Sequence, residues 1–310
     1  MRSSIPSLRV SAGLDVVAFT FILDDLVYPD GATLMGQPGG GGPQTLFGYQ
    51  LYAGQQAAVG LAAGIWRTRP SQQQARMLRP PLDTLPPAFQ AAKSYHVAVN
   101  PEQPGLEQLL QLRHAAKAGL LSLETFTAAS QPLTAQQLQQ LASLCDIFSP
   151  NEVEALSMLR QAGKAGAGRQ HSSSKCRNDS SSIDAGRDGA LLQLSQPFLE
   201  AGARVVAIRR GAEGAVVHRH EAGAWEVPAF PGTQVVDTTG CGNAFCGALL
   251  AALAAGEPLD VAGAWGCVAG SLMAEHLGVP KVTPAALHAE AVTRLHQMLP
   301  LVRPLGNKGP

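Results

Sequence analysis

The chain of 310 residues sets 23 Lys and Arg against 23 Asp and Glu, is 45% hydrophobic and carries only 15% charged residues. That length can bury a large core as one α/β domain or two smaller ones, and we read a single domain over 1–310. The cancelled charge and the lack of a long basic run exclude the electrostatic footprint of a nucleic-acid or membrane-surface binder, and fit a protein that takes a small molecule.

Cys145, Cys176, Cys241, Cys246 and Cys267 form no CxxC pair, which argues against a disulfide framework or a zinc site and for a reducing compartment, in the simplest case the cytoplasm. The opening "MRSSIPSLRVSAGL" is acid-free with Arg2 and Arg9, a faint likeness to an organelle-targeting peptide. "VVAFTFIL" (Val16 to Leu23) then runs into Asp24 and Asp25. It is far below the ~20 residues of a membrane span and reads as a buried strand. "QPGGGGPQTLFGYQLYAG" places a glycine cluster before a small-residue helix, and 65–95 offers little that is strongly periodic.

From His96 the rhythm is clearer. "HVAV" and "GLLSLET" read as strands separated by the helical "PGLEQLLQLRHAAKAG"; "TAQQLQQLASLC" is an amphipathic helix, and "DIFSPNEVEALSMLR" a short strand giving way to a helix near Asn151. Residues 161–189 are rich in Gly, Ser and charge and read as a disordered insertion, with His171 and Cys176 as solvated bystanders. "RVVAIRRG" is another strand. His218 and His220 share one face of a further strand, read as a solvated edge. Cys246 and Cys267 read as small core residues. The alternation of strand and helix argues for a parallel sheet covered by helices.

"VVDTTGCGNAFCGALLAAL" (Val235 to Leu253) reads as a strand, a turn and a helix. The amides of Gly240, Cys241 and Gly242 can converge at the positive end of that helix and bind an anion without a basic side chain. A strand-to-helix turn whose glycines only relieve strain explains the same letters. No G-x-x-x-x-G-K-[ST] is present, and a dinucleotide fingerprint would put Phe245 at its third glycine.

"DTTGCGNAFCGALL" resembles the C-terminal signature of the pfkB carbohydrate kinases of the ribokinase-like superfamily, D-T-x-G-A-G-D before an apolar helix. "GGGGPQTLFG", "NEVE", "RRGAEGAVV" and "GCVAGSLMAEHLGVP" resemble further family segments in the same order, with a wording similar to a eukaryotic subgroup that includes a fungal killer-virus maintenance protein. The resemblance implies a ribokinase-like α/β three-layer sandwich with a mostly parallel central sheet. It implies ATP- and Mg²⁺-dependent phosphoryl transfer to a hydroxyl of a sugar, nucleoside or related metabolite, and leaves room for a monovalent cation and a homodimer. Relatives carry part of a β lid between the early helix and the His96 strand, so 65–95 marks a shortened region and a reduced or missing lid.

By the same resemblance Asn243 stands at the catalytic-base position, with Gly240, Cys241 and Gly242 as the backbone anion hole. Asp24, Gly39, Gly40 and Gln44 face the substrate, Gln44 standing where sugar kinases commonly have Asn. Gly211, Gly214 and Asn151 belong to the nucleotide side, Glu154 and Asp237 to the cation. A carboxamide accepts a hydrogen bond but is no effective proton acceptor near neutral pH. A positioned base supplies about 10²–10⁴-fold, and phosphoryl transfer relies mainly on positioning and electrostatics. Asn243 therefore implies a slowed kinase. Three alternatives stand beside this reading: a non-catalytic nucleotide- or metabolite-binding protein, a truncated chain that folds poorly, and, for single residues, helix caps at Asn243 and Asn151 and a plain β-turn at Gly211 and Gly214.

Overall fold

The structure, a computed structural model, describes residues 14–19, 22–27, 33–39, 41–53, 59–62, 81–116, 119–159, 180–282 and 284–306. The strands are β1 (Val16–Phe19), β2 (Ile22–Val27), β3 (Thr33–Gly39), β4 (Val59–Ala62), β5 (Ser94–Val99), β6 (Leu121–Thr125), β7 (Ile147–Ser149), β8 (Val205–Arg209), β9 (Ala215–Arg219), β10 (Gly223–Val227) and β11 (Arg303–Leu305). The helices are α1 (Gly41–Ala53), α2 (Pro87–Gln90), α3 (Leu106–Ala116), α4 (Ala135–Ala142), α5 (Glu152–Leu159), α6 (Ser180–Glu200), α7 (Cys241–Ala254), α8 (Leu259–Ala274) and α9 (Pro284–Met298).

Among the described residues one sheet runs in the order β11-β10-β9-β8-β7-β6-β5-β1-β4. From β4 to β8 neighbours are parallel, and β9, β10 and β11 close the far edge antiparallel. Helix-covered faces explain why the strands are apolar and β-branched. Along β8, Val205 and Ala207 face one core while Val206 and Ile208 face the other, as the period of two requires. One layer contains α1, α7, α8 and α9; the other contains α3, α4, α5 and α6. This is the ribokinase-like α/β sandwich that the motifs imply.

Glycine sets the closest approach in the first layer. A Cβ on Gly48 of α1 would stand 1.9 Å from the Ala244 carbonyl oxygen of α7, and a Cβ on Gly247 of α7 would stand 1.9 Å from that of Thr45. The two backbones therefore touch where any side chain would separate them. That contact brings the first turns of α1 and α7 together.

Several readings change. "VVAFTFIL" is not one strand: β1 joins the central sheet, whereas β2 pairs antiparallel with β3 in a separate two-stranded ribbon, with a register irregularity between Asp24 and Leu26. That ribbon is the only strand pair outside the central sheet among the described residues. Within 65–95, residues 81–95 hold a 3₁₀ turn (Leu82–Thr84), α2 and the start of β5; 65–80 lie outside the described residues. Residues 180–189, expected to be disordered, belong to α6, whose Leu191, Leu194 and Phe198 supply the buried face that the polar stretch before them lacks. The rest of that stretch, 161–179 with His171 and Cys176, lies outside the described residues. Val235 and Val236 form no strand and are 63% exposed, because Val236 and Asp237 donate to the Ala274 carbonyl at the end of α8 instead of to a ladder. His218 is buried against α6, its Nδ1 2.8 Å from Ser195 Oγ, because β9 lies inside the sheet between β8 and β10, and His220 is exposed in the turn just past β9.

Gly247→Ala is expected to lose at least about 2 kcal/mol of stability through overpacking against a backbone that cannot yield. Gly186→Ala, with nothing within 4 Å of the added methyl, is expected to gain up to about 1 kcal/mol through helix propensity. Urea denaturation of the two variants beside the native chain checks this contrast.

Candidate functional site

The parallel strands β5, β6, β7 and β8 end on the side where α7 begins. Gly240 caps α7 with φ +83°, a left-handed conformation open to glycine at little cost. Ala244 N–H is the first to bond along the helix, to Gly240 O at 2.9 Å. Cys241 N–H turns back to Thr238 O at 3.3 Å. The amides of Gly242 and Asn243 are thus left at the open N-terminus, where the partial positive charge of the helix gathers.

Two side chains from other elements fill the space that the turn's glycines leave. A Cβ on Gly240 would stand 2.2 Å from the Gln44 carboxamide carbon, and a Cβ on Gly242 2.0 Å from Arg209 Nη1. Gln44 is buried and reaches Asn243, with 2.6 Å between their side-chain amides. The amide orientation of Asn243 that suits its surroundings directs Nδ2 to both oxygens of Glu124, one of them at 3.0 Å, and turns Oδ1 to Gln44. So Gln44, expected on the substrate side, and Asn243, expected at the base position, are brought together at the turn.

Beneath them lies a buried ionic cluster. Arg209 at the end of β8 sets Nη1 3.1 Å from Glu124 Oε2 and Nη2 3.6 Å from Glu154 Oε2, and donates to Ser149 O at 2.9 Å. Glu124 is 3% exposed. Burial alone pushes its carboxyl up, but Arg209, His96 and Cys246 together outweigh burial and hold it below the usual carboxylate range. Burial likewise opposes the charge of Arg209, and Cys246, Glu124 and Glu154 restore it. Behind Glu124, His96 Nδ1 is 3.0 Å from Ser122 Oγ, while its Nε2 approaches Glu124 Oε1 at 3.4 Å without a hydrogen bond.

Asn151 and Glu154 form a reciprocal pair at the start of α5: Asn151 Oδ1 accepts from Glu154 N–H at 2.9 Å and Glu154 Oε2 accepts from Asn151 N–H at 2.8 Å. The cap reading of Asn151 is thus met, but Glu154 is not an exposed helix residue. It is buried, and its Oε2 also accepts from Thr125 Oγ1 at 2.7 Å. Its other oxygen enters none of these contacts. Asp237 is half-buried and its Oδ1 accepts from Thr239 N–H at 2.9 Å, which fixes the approach to the turn.

The nucleotide-side glycines separate. Gly214 (φ +83°) is locked against β10, since a Cβ there would stand 2.0 Å from Val227 O, whereas Gly211 (φ +58°) faces open space. Asp24 and Gly39 belong to the β2–β3 ribbon, Asp24 opposite Gln37, and Gly40 lies outside the described residues. His96 Nε2, Glu124 and Cys246 Sγ offer ligand atoms within 4.8 Å of one another. Arg209 already supplies the positive charge there, however, and burial pushes the Cys246 thiol up to about 12, so the trio is charge-balanced without a metal. A cavity of about 890 Å³ lined by Tyr49, Tyr52, Lys93, Ser94 and Arg204 sits at the opposite end of the strands, beside the C-terminus of α7, away from this cluster.

His96, Glu124 and Arg209 were not singled out from the sequence, and Cys246 was read as core alone. The signal was present: in "LLSLET" Ser122 and Glu124 alternate with Leu121 and Leu123 on a strand covered on both faces, so a carboxylate had to be buried.

A mostly parallel sheet between two helical layers, with an open helix N-terminus backed by a buried Arg–carboxylate cluster, defines an α/β protein of the ribokinase-like class. The model of the pfkB family carbohydrate kinases matches residues 71–286, and the chain belongs to that family. Over 80 residues it is 41% identical to the 2-dehydro-3-deoxygalactonokinase of Haloferax volcanii, covering 26% of this chain and 24% of that protein. The chain spans about a quarter of the length of the curated relatives it matches. Among solved structures, the aminoimidazole riboside kinase of Salmonella enterica, complexed with aminoimidazole riboside and an ATP analog, superposes with a TM-score of 0.61 at 18% identity, over 90% of this chain and 99% of that one. The Arabidopsis thaliana ribokinase, complexed with ribose and ATP, gives 0.55 at 15% identity, over 92% and 99%. At these identities the structural likeness concerns the fold.

Arg209→Met is expected to cost about 3–5 kcal/mol near pH 7, because the Glu124 charge is left buried and unpaired. Without Arg209, burial raises the Glu124 pKa above its unfolded value. The deficit is then largest above the raised pKa and shrinks as pH falls and the carboxyl protonates. Chemical denaturation at pH 7.5 and pH 5 is expected to show that narrowing gap between variant and native chain.

Proposed function

We propose that this chain transfers the terminal phosphoryl group of ATP to a hydroxyl of a sugar, nucleoside or related small metabolite. The observation that carries the reading is the meeting of the open Gly242 and Asn243 amides with the Arg209 guanidinium packed on Gly242. Open amides and a largely buried cation form an environment for the oxygens of a transferring phosphoryl group, where preorganised charge counts most. Family membership, and the riboside, ribose and ATP or ATP-analog ligands of the structural relatives, support the same choice.

The donor set suits the cation such a reaction uses. Glu154 and Asp237 are hard oxygen donors, each with one oxygen outside the hydrogen bonds that fix it, and these are the residues that would hold Mg²⁺. When bound, the ion neutralises charge on the phosphates. The chain's own parts do the rest: Asn151 and Glu154 fix the start of α5, Asp237 fixes the approach to the turn, and Gln44 positions Asn243. Val235 and Val236, exposed beside the end of α8, offer an apolar ledge for a base.

Asn243 favours a second reading, a protein that binds nucleotide without turning it over, since its carboxamide cannot take the hydroxyl proton. The deciding assay is ADP formation by the purified protein with MgATP and a pooled panel of sugars and nucleosides. Acceptor-dependent turnover is expected. Saturable ATP binding with no ADP formed, by the native chain or by Asn243→Asp, would establish the binding protein instead.

A further inference from the structure

We infer that Glu124 is the catalytic proton acceptor, a carboxylate supplied from β6 in place of the one absent at position 243. This inference rests on the kinase reading of the same site. The geometry sets the carboxylate beside the side chain at position 243 and the first residue of α1. Glu124 lies in hydrogen-bond contact with the Asn243 side chain, and its Oε1 is 3.5 Å from where a Cβ on Gly41 would stand, the same distance as the Asn243 amide atom that faces Glu124. Gly41 opens α1 directly after Gly39 and Gly40, the segment assigned to the substrate. Without a side chain at Gly41, the carboxylate and the Asn243 amide are the polar groups met from that side.

The exchange of carboxylate and amide between the two positions has a physical reason. Two carboxylates at this spacing cannot both ionise, so an Asp at 243 beside Glu124 would force them to share a proton. With Asn at 243 there is one carboxylate, and its neighbours keep it ionised. Arg209 faces it from β8, His96 from β5, and Cys246 and Asn243 from α7; Glu154 of α5 faces Arg209 from the far side. Kept ionised in this way, Glu124 is able to accept a proton. His96, held by Ser122, is a positioning residue with its Nε2 beside the carboxylate.

The step balances simply. The acceptor's O–H bond breaks and its proton passes to Glu124, while the oxygen forms a bond to the terminal phosphorus of the nucleoside triphosphate. The bond from phosphorus to the bridging oxygen breaks with its electron pair leaving on the nucleoside diphosphate. The proton returns to solvent as product departs.

The test compares kcat and KM for MgATP in four proteins: native, Glu124→Gln, Asn243→Asp and Glu124→Gln/Asn243→Asp. Glu124→Gln is expected to lose about 10²–10⁴-fold in kcat with the KM for MgATP within about threefold of native. The double variant, which moves the carboxylate back to α7, is expected to recover to within about tenfold of native, a rescue that a merely misfolded Glu124→Gln could not show. Asn243→Asp alone is expected to gain less than about tenfold, because its two carboxylates share a proton. An active Glu124→Gln, a double variant no better than Glu124→Gln, or a gain above about 100-fold in Asn243→Asp would overturn the assignment. A native chain without turnover beside an active Asn243→Asp would overturn it too, yet leave the kinase reading standing. Inactivity of native and Asn243→Asp alike would remove both.

Discussion

Two helices that touch backbone to backbone hold this protein's site together. Gly48 and Gly247 let α1 and α7 approach until carbonyl oxygens lie where methyl groups would otherwise be. The contact between Gln44 and Asn243 depends on that distance. Gln44 is three residues along α1 from its first residue and Asn243 two along α7 from its first, and they meet because the helices do. With a larger residue at either glycine, the helices part and Gln44 no longer covers Gly240. The apolar small-residue character of α7, which looks like plain core filler, is therefore the condition for the Gln44–Asn243 contact at its tip.

The second constraint is electrical. Glu124, Arg209 and Glu154 are taken out of water together, and charges in such a place persist only when their mutual attraction and hydrogen bonds offset desolvation. The cluster meets that demand with strand ends: β6 supplies Glu124, β8 supplies Arg209, and the β7–α5 junction supplies Ser149 O and the Asn151–Glu154 pair. It leaves one imbalance, a carboxylate in excess, directly beneath the turn. The same arrangement explains why Asn243 fits here: its amide can donate to Glu124 where a second acid could not.

Much of this was legible in the chain, and the exceptions have physical causes. The layered α/β fold follows from strands and helices whose periods are clean, such as "RVVAIRRG" and "TAQQLQQLASLC". The glycine turn before α7 was visible because glycine, small residues and an apolar helix stand in one short run. What stayed hidden depends on contacts between distant segments. Glu124 and Asn243 are far apart in sequence, and no local pattern says that they face each other. Nor could the pattern show that Phe19 and Ile22 belong to different sheets, since both sides of the break are apolar. The polar residues before α6 masked a helix whose buried side begins only near Leu191, and His218 looked solvated because its partner Ser195 lies on another element.

Gly240 and Gly242 carry no side chains, yet the turn is not bare, for Gln44 and Arg209 occupy the volumes where those side chains would be. The signature thus borrows its chemistry from α1 and β8. The groups that surround the turn can accordingly change through Gln44 and Arg209, positions remote from the signature. A comparison confined to the residues from Asp237 to Leu250 would see the exchange at Asn243 and miss the Glu124, Gln44 and Arg209 side chains that meet it.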